Sequence, residues 1–335
     1  MGNTTGNQTK SVALDFEEIV QENLDLHESF FTRLFSVGST SQLSTKYSTQ
    51  AYFDYPEEVA ENAIHPEDTA QEGYTTVFAP KTYKRKASLS KLLKLVDQSG
   101  NNTIGNYAKD LAMKMKQARD IHSVGEVFAK AYDGSTLWGD SQELISTTHA
   151  RKDGGGNQSN TFSDGVQRAL DYDNLILLQD SFLPLVNNKG IPQLVGMGNL
   201  ILMVPPKLRE IAFQLAEVEK EPDTTDNNLN YFKGKHGLDI ILNPYMSWVF
   251  AYNQGWTSVA QSSASNYWDS NYFLMDPMWA KRNLQFDVLE GIQTKNWEDD
   301  DTGEMFVGAE DNYQVGARGF MGIAGSKGDG STYAG

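Results

Sequence analysis

The stretch GNLILMVPPKLREIAFQLAEVE, residues 198–219, passes from a short apolar run through a proline pair into residues spaced like a helix. Leu200 to Val204 has the unbroken apolar character of a strand buried on both faces. Pro206 suits the first helical position, where a missing N–H costs nothing and φ is already helical. Leu208, Ile211, Ala212 and Leu215 then recur three and four apart and form one apolar stripe. A strand that runs into a helix is a common place to hold a phosphate through backbone N–H groups. Pro205 and Pro206 remove two of those donors. The junction is therefore a poor anion cradle, and its prolines serve to fix the direction in which the helix leaves the strand.

Working outward, the turn VNNKG precedes this unit and the polar loop EKEPDTTDNN follows it. GLDIILNPYMS and NYFLMDPMW predict two more strands, separated by an aromatic, serine-rich loop around Trp256 and Trp268. LQFDVLEGIQT, the acidic turn NWEDDDTGE and NYQVGARGFMGI predict a last pair of strands before a glycine-rich end. Upstream, Ile104, Tyr107, Ala108, Leu111, Met115, Ala118, Ile121 and Phe128 predict a helix over 104–132. It would be about 43 Å long, with Gly125 as a bend point. Ser163 is the expected cap of a further helix whose face includes Val166, Leu170 and Leu177. Phe16 to Phe35 suits a short helix or a segment laid on a neighbour.

Charge is distributed most unevenly near residue 70. Asp54 to Glu72 carries seven acids and no Lys or Arg, whereas Lys81 to Lys94 carries six bases and no acid. The ordinary reading of each run is a solvated face. Opposite signs on adjacent limbs, with turns at Pro56, Pro66, Gly73 and Pro80, suggest instead an arm that docks on other subunits. Over the whole chain the net charge is −16. A surface this acidic disfavours tight binding to a phosphate backbone. No apolar run is long enough to span a bilayer, so a soluble protein without a membrane partner is expected.

Motifs for catalysis are sparse. The five histidines, His27, His65, His122, His149 and His236, are scattered and form no HExxH pattern. The chain has no cysteine and no GxSxG elbow. GMGNLI lacks a third glycine, and GIAGSKGDG has Gly-Ser-Lys where a phosphate loop needs Gly-Lys-Ser or Gly-Lys-Thr; both read as turns. No catalytic residue, metal ligand or cofactor is assigned.

The order of segments resembles the major capsid proteins of tailed bacteriophages, the Hong Kong 97-type family, and within it the head subunits of Mu-like phages. Asp133, Gly134, Leu144, Ser146 and His149 match one motif of that family. Val204, Pro205, Pro206, Leu208 and Ala212 match a second. NPYMS with NYFLMDP, and YQVGARGFMGIAGSKG, match two more. The resemblance implies an α+β Hong Kong 97-type fold with an N-terminal arm (1–45) and an extended β-hairpin arm, the E-loop (46–95). A peripheral domain with a long spine helix (96–184), an axial domain (185–285) and a return to the peripheral domain (286–335) complete it. It further implies no enzyme activity, self-assembly into hexamers and pentamers of an icosahedral shell, and enclosure of double-stranded DNA without sequence-specific binding. Scaffold, portal and decoration proteins would be partners, with the virion as location after assembly in a bacterial cytoplasm. The assembly contact expected from charge is Lys84, Arg85 and Lys86 against acids such as Glu57, Glu58 and Glu61. Two other readings remain: an encapsulin-like nanocompartment, or an α/β enzyme or carbohydrate-binding protein using the aromatic loop Trp248–Tyr272.

Overall fold

Alternation of side chains along four short strands builds the centre of the protein. The computed structural model describes residues 18–20, 22, 24, 29–51, 53–61, 64–90, 103–134, 136–220, 229–234, 237–250, 259–261, 269–299 and 301–333. Its strands are β1 (Ser36–Ser39), β2 (Thr45–Ala51), β3 (Gln71–Phe78), β4 (Lys81–Leu89), β5 (His149–Ala150), β6 (Asn157–Gln158) and β7 (Leu200–Val204), followed by β8 (Leu238–Leu242), β9 (Trp248–Phe250), β10 (Val259–Gln261), β11 (Tyr272–Met275), β12 (Leu284–Glu298), β13 (Met305–Ala317) and β14 (Ile323–Ser326). Its α-helices are α1 (Phe31–Leu34), α2 (Thr103–Asp120), α3 (Val127–Ala129), α4 (Tyr172–Asp180), α5 (Arg209–Glu217), α6 (Tyr231–Gly234) and α7 (Pro277–Asn283).

The central sheet runs β14-β11-β7-β8, with β7 and β8 parallel and the other pairs antiparallel. Because successive residues of a strand point to opposite faces, β7 contributes to two cores at once. Leu200, Leu202 and Val204 join Tyr272, Leu274 and Ala324 under α4, α5 and Phe232. Ile201 and Met203 join Phe273, Met275 and Ile323 against Val124, Val127 and Phe128. All five β7 residues are buried, as the continuous apolar run requires. Burial of such side chains is worth roughly 1.5–3 kcal/mol each.

After β7, Pro206–Leu208 forms a 3-10 turn that leads into α5. Ala212 and Leu215 are buried on the sheet, while Ile211 stays partly outside. A second sheet, β1-β12-β13-β4, is built on the long β12–β13 hairpin. At its far end, Met305 and Val307 meet Ala108 and Ala112 of α2 and Val20 and Leu24 of the N-terminal segment. Tyr107, expected on the apolar stripe of α2, lies at the surface.

The long helix is interrupted. Ile121–Glu126 is a π-helical segment between α2 and α3, and it contains the expected bend point Gly125. His122, Ser123, Val124, Val127 and Phe128 are all buried, so this part has no outer face. Widening of a π turn leaves backbone groups in need of partners. Asn243 Nδ2 donates to Val124 O at 3.1 Å.

Two sequence expectations need correction. Ser163 caps nothing: α4 starts after Asp171, whose carboxylate accepts from Asn174 N at 2.7 Å. Val166 instead bridges to Thr332, and Leu177 is exposed. LQFDVLEGIQT and NYQVGARGFMGI do pair as predicted, in β12 and β13. β13 belongs to the second sheet and β14 to the central one, because Ile323–Ser326 is buried on both faces and fits beside β11. GIAGSKGDG is correspondingly a strand followed by a turn.

Candidate assembly interface

Residues 46–95, which the resemblance groups as one arm, divide into two parts. β2 and β3 pair as an antiparallel ribbon joined by residues 52–70, and β4 leaves the ribbon to become the edge strand beside β13. The reason lies in β4 itself. Tyr83 stacks on Tyr313 at 4.6 Å, and Ala87 packs beneath the hairpin near α2. Alternation therefore splits the three expected basic residues. Lys84 and Lys86 stand on the outer face, whereas Arg85 lies on the face of Tyr83 and Ala87, opposite Ala309.

The outer face continues across the hairpin. Glu310 is opposite Lys84, and its carboxylate bridges Lys84 at 3.0 Å and Lys295 at 2.5 Å. The two ammonium groups, Lys295 foremost, hold the Glu310 carboxyl below the usual range. Beside them Trp297 stacks on Phe306 at 5.4 Å, and Lys86 Nζ lies 4.7 Å from the Phe306 ring centre. Lys84 and Lys295 thus flank a single carboxylate, and Lys86 sits over the two aromatic rings beside it, with Trp297 44% exposed. A row of lysines on an edge strand also discourages uncontrolled strand pairing.

Glu57, Glu58 and Glu61 are exposed in the loop between β2 and β3. The chain does not join them to the basic strand: Lys84 turns to Glu310 and Lys86 to the aromatic pair. Large apolar side chains share the loop, with Phe53 78%, Tyr55 66% and Ile64 92% exposed.

The ribbon is fixed at its base by a buried polar group that sequence reasoning missed. Asp287 of β12 is almost fully buried and accepts from Tyr47 Oη at 2.6 Å, from Gln314 Nε2 at 2.8 Å and from Gln285. Burial, reinforced by Asp287, raises the Tyr47 hydroxyl above its ordinary pKa. Arg318 covers the Tyr47 ring at 3.7 Å and donates to Gln285 at 2.5 Å. An aspartate inside LQFDVLEG gave the only available signal, a charge at an inward strand position.

No family model matches this sequence, and no curated protein matches it by sequence. Solved structures do match. The mature capsid of bacteriophage PhiM1 superposes with a TM-score of 0.55 at 12% identity, covering 89% of this chain and 86% of that one. The capsid of cyanophage P-SCSP1u gives 0.51 at 11%, covering 89% and 87%. A virus-like particle from Pyrococcus furiosus gives 0.51 at 10%, covering 93% and 97%. The chain has the Hong Kong 97-type capsid fold.

Within the Hong Kong 97-type fold the motif residues have structural duties. Leu144, Ser146 and His149 are buried. His149 stacks on Phe320 at 3.7 Å, with its ring nitrogens 2.6 Å from Asp140 and 3.1 Å from Asn160. Asn160 in turn donates to Leu144 O and Ile323 O, tying this loop to β14. Among the described residues no group of three or more His, Asp or Glu side chains is placed to hold a metal ion. No described helix is long and apolar enough to cross a membrane. The aromatic loop of the carbohydrate-binding reading falls largely outside the described residues, including Trp256 and Trp268.

Proposed function

We propose that the chain is the major shell protein of a tailed-phage head. Copies of it would assemble as hexamers and pentamers into an icosahedral container for double-stranded DNA. The observation that carries this reading is the Hong Kong 97-type fold across about nine-tenths of the chain. An acidic loop and a basic-aromatic strand face that one subunit does not bring together support it.

Assembly of this kind rests on many modest contacts made at once. Glu57, Glu58 and Glu61 on the loop of one copy meet Lys84, Lys86 and Lys295 on the outer face of another, and Tyr55 and Ile64 add apolar area beside Trp297. Such charge pairing sets partner choice and orientation more than raw affinity. An acidic container also encloses DNA without adhering to it. The peripheral and axial divisions, the scaffold, portal and decoration partners, and the virion location follow from the same reading.

A nanocompartment that holds protein cargo is the second reading, favoured by the likeness to the Pyrococcus furiosus virus-like particle. Electron micrographs of the purified chain test both. Shells or capsomers support a shell protein, and monodisperse monomers at high concentration overturn it. Nuclease-protected double-stranded DNA in particles from the producing cells favours the phage head; a co-purifying protein without DNA favours the compartment.

A further inference from the structure

The turn VNNKG is built with more care than a connecting loop needs. Val186 and Pro192 form a bridge, and Asn187 N donates to Ile191 O at 2.9 Å. The Asn187 carboxamide oxygen accepts from Lys189 N at 2.9 Å and from Ile191 N at 3.0 Å. Gly190 takes φ +80°, which closes the turn without a Cβ penalty. Gln158 of β6 anchors it by donating to Val186 O at 3.1 Å and accepting from Val186 N at 2.8 Å. The result is a rigid platform for one side chain, that of Lys189, which is only 9% exposed.

An ammonium group so far out of water needs anionic partners. Lys189 Nζ pairs with Asp68 and lies 3.7 Å from Asp54 Oδ2. Those two acids stand at the two ends of the loop that carries Glu57, Glu58 and Glu61. Asp54 N donates to Asp68 Oδ2 at 2.5 Å, so the ends are also joined to each other. Beside them Lys152 Nζ donates to Gly73 O of β3 at 2.9 Å. The ends of the excursion are thus held together at the body of the subunit.

We propose that Lys189 is the positioning residue of the assembly interface: it locks the neck of the acidic loop to the body of its own subunit and so sets the direction in which the tip projects. This rests on the shell reading above. The lock divides the acids by task. Asp54 and Asp68 are engaged by Lys189 within the subunit, and Glu57, Glu58 and Glu61 are left for a neighbouring copy. It also limits the entropy that docking would otherwise cost, because the loop is ordered before it meets its partner.

The test uses the full-length chain with Lys189→Met, Lys189→Arg and the double variant Asp54→Asn/Asp68→Asn. Amide hydrogen exchange is read over residues 53–61 and 64–70 in unassembled protein, and shell yield is read by sedimentation. Lys189→Met and the double variant are expected to exchange about tenfold faster in this loop, with β7 and β11 unchanged. Their shell yield falls at least severalfold, and Lys189→Arg restores both readouts. Unchanged exchange in Lys189→Met overturns the lock. Faster exchange with full shell yield overturns the positioning role. A wild-type chain that never assembles overturns the shell reading instead, and the exchange arm then decides the lock alone.

Discussion

At the scale of single residues, the joint between α2 and the π-helical segment holds two titratable groups that burial shifts in opposite senses. Asp120 is pushed up to about 6, although the backbone N–H groups of Phe31 and Phe30 partly offset this. Its native state therefore binds a proton more tightly than the unfolded chain does. Stability from this group is complete below the ordinary carboxylate value of 3.8 and is lost as pH rises through about 6. Asp120→Asn keeps an acceptor for Phe31 N without the charge. Urea titrations should show equal stability for variant and wild type near pH 4, and an advantage of about 1–3 kcal/mol for the variant at pH 7. His122 lies between Tyr83, stacked at 4.1 Å, and Tyr313, and burial lowers it from 6.5 to about 3. Here the unfolded chain binds the proton more readily, so stability present above pH 6.5 is lost as pH falls toward 3. His122→Gln should lack that acid slope while being less stable than wild type at pH 7, since the stack on Tyr83 is gone. Matched denaturation curves from pH 3 to 8 separate the two groups.

At the scale of elements, what periodicity announces is what the structure contains. Five consecutive apolar residues in β7, Pro206 at the helix start and the stripe through Ala212 and Leu215 are local signals, and tertiary packing agrees with them. Failures arise where packing overrides local chemistry. Ser163 is a good cap by type, but Asp171 stands next to the buried Tyr172 and Leu175, and burial decides where the helix begins. Strand β4 also sorts three adjacent basic residues by face, with Arg85 opposite to Lys84 and Lys86, a division that bears on the assembly contact without deciding it. Lys189 escaped notice because its partners lie in a distant segment, and Lys295 and Trp297 because their partners depend on the register of the β12–β13 hairpin. The same applies to Asp287, whose three donors come from β2, β12 and β13. Asp287→Ala leaves those donors without an acceptor in a buried place. Denaturant midpoints should record a loss of about 3 kcal/mol or more, and hydrogen exchange should rise first in β2 and β3.

At the scale of the whole molecule, the outer face of the β12–β13 hairpin and the acidic loop are the surfaces on which the shell reading stands. Lys84→Glu/Lys86→Glu should abolish sedimenting shells while leaving the unfolding midpoint nearly unchanged. Arg85→Glu, on the opposite face, should have the smaller effect. Shells that survive the double reversal would remove these lysines from the interface. A last consequence concerns synthesis. Ser36 pairs with Gln285 across β1 and β12, and the central sheet is closed by β14, residues 323–326. The second sheet cannot be completed before β13 and the central sheet before β14 have left the ribosome, so folding waits for long-range pairing. A nascent chain with an exposed acidic loop would therefore lack the hairpin face that receives it. On the shell reading, subunits become competent to join one another only when both sheets are complete, and incomplete chains are kept out of the shell by their own topology.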